Sequence, residues 1–193
     1  MLESIVSIAA GYLLGSIPAA YLMVKARKGI DIRTVDTGNV GAGSTMRQAG
    51  TGYGLIVAAV DIGKGAAAVL IARALGVSYP IVLIAGFAAV LGHCFPFSIG
   101  FRGGQGVSTI LGVFLALAWQ PMLVMLAIMG IVLAVTRHIF SMTLIAAPLL
   151  PLVLWAFGEN WMLIVYSLII IAFVVFRSRK RLPEFRLPAR LKR

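Results

Sequence analysis

Apolar residues in this chain arrive in runs close to the length that crosses a lipid bilayer, and this limits the fold more than any motif does. The runs cover residues 4–24, 54–75, 80–97, 107–119, 122–136, 142–157 and 161–176. Within hydrocarbon every backbone N–H and C=O must find its partner inside the segment, so such runs fold as helices. With 61% of its residues hydrophobic and 12% charged, the chain is expected to be an all-α polytopic integral membrane protein. Its 193 residues leave no room for a separate soluble domain, so residues 1–193 read as a single membrane domain with a basic juxtamembrane tail at 177–193. The first run lacks a basic leading segment and exceeds the core of a signal peptide, which makes it a retained span.

The runs at 107–119 and 122–136 are shorter than the ~20 residues of an upright span, so one helix kinked at Pro121 is the alternative to two. Charge decides between six spans and seven. Seven spans put fifteen of the 17 basic residues on one side, opposite the N-terminus; Arg73 falls on the other side and Lys64 within a span. By the positive-inside rule the N-terminus is then outside and the C-terminus cytoplasmic. The net charge of +11 thus resides in short loops and the tail, and calls for membrane lipids rather than nucleic acid as its partner. In the tail, Pro183 and Pro188 prevent one continuous helix, and its eight cations anchor the topology or meet anionic lipid.

Three polar segments interrupt this apolar chain. The first, GIDIRTVDTGNVGAGSTMRQAGTGYG at residues 29–54, combines turn-forming glycines with the hydrogen-bonding side chains of Thr37, Asn39, Ser44 and Thr45 and the guanidinium of Arg47, an inventory that suits a phosphate ester. Within it, Asp31 and Arg33 either pair locally or touch ligand. The second, DIGKG at 61–65, sets Asp61 and Lys64 on one helical face inside an apolar run, where they neutralise each other or face a polar cavity. The third, GHCFPFSIGFRGGQGVST at 92–109, offers permissive backbone at Gly103, Gly104 and Gly106, the side chain of Gln105, and the cation of Arg102, so that loop N–H groups can turn toward an anion. His93 beside it is a general base, an anion ligand or a helix-terminal hydrogen bonder.

Several chemistries lack their residues. The single cysteine, Cys94, reads as a buried packing group, and His138 is too distant from His93 for metal-ligand spacing, so no metal or other cofactor is expected. Neither GxxxxGK[ST] nor GxSxG occurs, which argues against a nucleotide site and a serine acyl-enzyme.

Taken in order, GSIPAAYL, IDIR with TGNVGA, Arg47, DIGKG, and GHCFP followed by FRGGQGVST resemble the PlsY family, the bacterial integral-membrane acyltransferases that use acyl phosphate. The resemblance implies transfer of a fatty acyl group from acyl phosphate to the 1-hydroxyl of glycerol 3-phosphate. The products would be lysophosphatidic acid and inorganic phosphate, made at the cytoplasmic face of the bacterial inner membrane without coenzyme A or metal. Carried residue by residue, it implies substrate binding by Thr37, Asn39, Arg47, Lys64, Arg102, Gly103, Gly104, Gln105, Gly106 and Arg137, with His93 catalytic.

The chain departs from the family at several of these places. GSGN reads DTGN, placing Asp36 in the first loop; ATN reads AGS at 42–44; and FKGGKG reads FRGGQG, so Gln105 replaces a cation. RYVS reads RHIF, putting Phe140 at a hydroxyl position, and Phe176 and Arg179 stand nearest to the family's C-terminal His and Asn. These changes leave open a divergent paralogue with another substrate, or a non-catalytic lipid-transport or assembly subunit with a partner chain.

Overall fold

The computed structural model describes residues 1–137 and 139–179, apart from the side chain of Phe140. His138, Phe140 as a hydroxyl replacement and the tail from Lys180 onward therefore lie outside the described residues.

The chain forms helices α1 (Leu2–Gly15), α2 (Ala19–Lys28), α3 (Ala42–Ala49), α4 (Thr51–Ala74), α5 (Tyr79–Cys94), α6 (Val107–Leu117), α7 (Trp119–Thr136), α8 (Ile139–Ala146), α9 (Leu150–Ala156) and α10 (Trp161–Ser178). Short 3-10 turns occupy Ile32–Thr34, Phe97–Ile99 and Ala147–Leu149, and no strand occurs among the described residues. Among the described residues, five stretches are long and apolar enough to cross a membrane: Leu2–Lys28, Thr51–Ala74, Tyr79–Ile99, Trp119–Thr136 and Trp161–Ser178. The runs read at 107–119 and 142–157 become shorter apolar helices, Val107–Leu117 and Ser141–Ala156. Eleven residues in α6 span only about 16 Å, roughly half the hydrocarbon thickness. The kinked-helix alternative for 107–136 fails at Ala118, whose φ of −149° ends the helix before the proline. Pro121 instead lies in the first turn of α7, where a missing N–H costs nothing.

The structure divides into two compact units, Met1–Leu117 and Ala118–Arg193. In the first, α4 packs against α1, α2, α3, α5 and α6, while α1 also packs along α5. Small residues permit these approaches. A Cβ at Gly15 would overlap the Ala89 carbonyl of α5, and one at Gly112 would overlap the Ile62 carbonyl of α4. Close small-residue seams are how helices associate in lipid, where apolar tails and apolar side chains offer no hydrophobic contrast. Large apolar side chains face outward instead, among them Leu13, Leu22, Leu55, Leu70 and Ile84.

In the second unit, α7 packs with α8 and α9, and α9 with α10. Helix α10 buries Leu163, Tyr166, Ser167, Ile170 and Val174 at helical spacing, and Asn160 caps its start by accepting from the Met162 N–H at 2.8 Å.

Candidate active site

The site begins at a break in the first apolar segment. Pro18 cannot continue the helix that α1 starts, so the backbone opens between Gly15 and Ala19. At membrane depth the carbonyls released by such a break need donors. Lys64 supplies one from α4, its Nζ donating to the Ile17 carbonyl at 3.0 Å. The same Nζ lies 2.7 Å from Asp61 Oδ1, and His93 Nδ1 of α5 lies 3.3 Å from that oxygen. All three side chains are buried. The DIGKG pair therefore does what its spacing predicts and also takes in His93, a connection across two helices that the spacing did not contain.

These residues border a small cleft whose lining includes Ile17, Pro18, Val40, Asp61, Lys64, His93 and Pro96. The third polar segment folds back onto it. The N–H of Gly103 donates to the Cys94 carbonyl and that of Gly104 to the His93 carbonyl, each at 3.1 Å. They satisfy carbonyls that the last turn of α5 leaves without helical partners. These two loop amides are thus engaged at the helix end rather than turned toward an anion. Glycine is required at 104 for another reason: a Cβ there would overlap His93 Nε2 and crowd the Val40 carbonyl. The loop backbone thus lies directly against the imidazole. Gly106 has a left-handed φ of 86°, Gln105 is half-buried, and Arg102 is exposed beside Phe101, which itself has φ 59°.

The IDIR sequence is a clamp. Asp31 caps the 3-10 turn by accepting from the Arg33 N–H at 2.9 Å and also binds the Arg33 guanidinium, with Nη2 at 2.6 Å from Oδ2. The free edge of that guanidinium reaches the third segment, where Nη1 donates to the Ile99 carbonyl at 2.6 Å. Its plane lies over the Tyr21 ring at 5.1 Å. Of the two readings of Asp31 and Arg33, local pairing is the one found. The Arg33 hydrogen bonds pull the Asp31 carboxyl down to about 2, and the carboxylate in turn raises the guanidinium pKa. Beneath the clamp, Ile32, Val40, Val57, Ile99, Ala20 and Val24 form one buried apolar cluster that fixes the first loop beside the third segment.

Arg47, in the last turn of α3, donates through Nε to Asp36 Oδ2 at 2.8 Å and through Nη2 to the same oxygen and to Ser44 Oγ. Asp36 and Ser44, two departures from the family pattern, are thus the partners of an expected phosphate ligand. Thr37 and Asn39 belong to the same loop, with Asn39 Nδ2 near Gly41. In the second unit Arg137 ends α7 with a left-handed φ of 53°, its N–H donating to the Leu133 carbonyl. Phe176 and Arg179 pair with one another, the guanidinium stacking 4.0 Å from the ring centroid. Among the described residues no group of three His, Cys, Asp or Glu is placed to hold a metal ion.

The structure therefore brings Lys64 and His93 together at the cleft, sets Gly104 against the His93 imidazole, and places Arg47 with Asp36. Sequence reasoning missed Asp61 as a partner of His93 and the Ile17 carbonyl as a partner of Lys64. The available signal was Pro18, because a proline inside a membrane run exposes carbonyls that a nearby buried lysine can satisfy.

Comparison with known proteins identifies the family. Residues 5–186 match the family model described as glycerol-3-phosphate acyltransferase. A relative from Synechococcus sp. (strain CC9902), named glycerol-3-phosphate acyltransferase, is 37% identical over 182 residues, covering 94% of this chain and 91% of the relative. The crystal structure of PlsY (YgiH), an integral membrane glycerol 3-phosphate acyltransferase in its glycerol 3-phosphate form, superposes with a TM-score of 0.87 at 31% identity, covering 93% of this chain and 90% of that one. Its lysophosphatidic acid form superposes with a TM-score of 0.81 at the same identity and coverage. By family match, sequence identity and fold together, this chain belongs to the glycerol-3-phosphate acyltransferase family.

Proposed function

We propose that this chain is a multi-pass acyltransferase of the bacterial inner membrane that moves a fatty acyl group from acyl phosphate to the 1-hydroxyl of glycerol 3-phosphate. The observation that carries the reading is the cleft at which Asp61, Lys64 and His93 converge beside a glycine-walled loop, in a chain of this family. The relatives' names and the two ligand forms of the PlsY structure, glycerol 3-phosphate and lysophosphatidic acid, support the acceptor and the product.

In the reaction, the acceptor hydroxyl oxygen attacks the acyl carbonyl carbon, the bond from that carbon to the phosphate oxygen breaks, and phosphate departs. The hydroxyl proton passes to His93 or to a phosphate oxygen. A mixed anhydride is already activated, so much of the acceleration comes from holding the two reactants in register. Asp61 orients His93 through Nδ1, and the Lys64 charge offsets the buried carboxylate. Arg47, Arg102 and the first-loop residues Thr37 and Asn39 bind phosphate, and the backbone around Gly103, Gly104, Gln105 and Gly106 shapes the wall beside the imidazole. Arg137 enters through the family resemblance alone.

The reading includes seven crossings, two of them short, with the N-terminus outside, the active site and C-terminus cytoplasmic, and residues 1–193 forming one membrane domain with a basic tail from 177. The distribution of basic residues supports this orientation. The decisive experiment reconstitutes the purified chain in lipid with acyl phosphate and glycerol 3-phosphate. Lysophosphatidic acid and phosphate in equal amounts are expected; absence of both, or transfer only to another acceptor, defeats this assignment.

A further inference from the structure

Asp36 introduces a negative charge where the family pattern reads glycine, and the structure shows where that charge goes. Its backbone has φ 54°, the left-handed region in which glycine is at ease and aspartate is tolerated. From that turn the carboxylate meets Arg47, receiving Nε and Nη2 on a single oxygen, while Nη2 also reaches Ser44 Oγ at 3.1 Å. An arginine recognises phosphate through this same pair of neighbouring N–H groups. The Arg47 side chain is 48% exposed and that of Asp36 24%, so the pair is open to a ligand rather than sealed in the core.

We infer that Asp36 is a resident counter-anion for Arg47, which the phosphate of the acceptor must displace. The inference rests on the assignment of Arg47 to phosphate under the proposed function. Displacement breaks the ion pair and leaves a carboxylate beside an incoming dianion, so both effects weaken phosphate binding. The acceleration of acyl transfer is unaffected, because Asp36 faces Arg47 rather than the cleft side chains Lys64 and His93. Asp36 is thus a determinant of acceptor affinity in this chain.

The test uses Asp36→Asn and Asp36→Gly in the full chain, reconstituted in lipid nanodiscs. Both replacements accept a left-handed backbone and remove the charge. Calorimetric titration with glycerol 3-phosphate and with inorganic phosphate should give dissociation constants lower by roughly two- to fivefold, the scale of a partly exposed ion pair. The KM for glycerol 3-phosphate should fall in parallel while kcat stays unchanged. Repeating Asp36→Asn in an Arg47→Gln background should abolish the gain. Unchanged or weakened binding in both single variants would overturn the inference and make Asp36 a positioning residue for Arg47. A gain that persists without Arg47 would overturn it as well. Phosphate binding with the expected gain but no lysophosphatidic acid from any preparation would defeat the proposed reaction and leave the counter-anion standing.

Discussion

The two compact units of this protein hold polar groups by bonds of different reach, although in the first Ser7 and Thr45 also bond back along their own helices, to the Glu3 and Gly41 carbonyls. In the first unit, polar side chains reach across the sequence: Lys64 to the Ile17 carbonyl, Arg33 to that of Ile99, Tyr12 to that of Phe95 and Arg73 to that of Ala116. In the second, hydroxyls bond within their own helix, Thr143 to the Ile139 carbonyl and Ser167 to that of Ile164. A hydroxyl that back-bonds to its own turn satisfies itself and fixes nothing else. A lysine or arginine that spans two elements costs desolvation and fixes both. The first unit bears this cost where its loops must be held around a cleft.

The sharpest way to break this comparison is to remove one polar group from each unit. Asp61→Ala should leave Lys64 buried without its carboxylate and destabilise the first unit by about 3 to 5 kcal/mol. Ser167→Ala in α10 should cost about 1 kcal/mol or less. Thermal unfolding of the purified variants measures both, and equal losses would erase the distinction.

Next in size is His93→Gln, which keeps a donor for Asp61 but cannot exchange a proton as imidazole does. It should lower kcat by about 100-fold, the ordinary scale of general base catalysis, with little effect on KM. A kcat within twofold of wild type would transfer the proton-accepting role to a substrate phosphate oxygen.

Packing separates the units by a smaller margin. Gly112→Ala forces a methyl into the Ile62 carbonyl and should cost about 1 to 3 kcal/mol. Gly130→Ala in α7 meets nothing within 4 Å and should gain up to about 1 kcal/mol from helix propensity. Melting temperatures moving in the same direction for both would contradict the close-seam account.

The smallest expected effect is in the IDIR clamp. The folded pKa of Asp31 lies below its unfolded value, so its stabilisation is complete above about pH 4 and fades as the pH falls toward about 2. Asp31→Asn should remove that step from a plot of melting temperature against pH. A step of unchanged height in the variant would assign it to another group.

Membrane character, the all-helical fold and the three polar segments were legible because each depends on neighbours along the chain. Span lengths were less so: 107–119 shortened to an eleven-residue helix because Ala118 turns away before Pro121. The DIGKG pair was visible at helical spacing, but its third member, His93, was not. Arg47 reads as an anion ligand from the sequence, while the partner it meets in the fold, Asp36, lies eleven positions earlier with a turn between them. The glycines at 103 and 104 looked like free donors because the sequence does not say that the loop returns to the end of α5.

What the sequence determined by itself is the solvent each segment prefers, the local turns that glycine and proline permit, and an order of motifs belonging to one family. Those properties follow from hydropathy and backbone sterics over a few residues. Only the tertiary structure decided which carbonyl receives Lys64, which loop Arg33 holds, and that Asp61 meets both Lys64 and His93. Such contacts join positions tens of residues apart, and they exist because glycine seams let α1, α4, α5 and α6 approach closely enough for polar side chains to reach across.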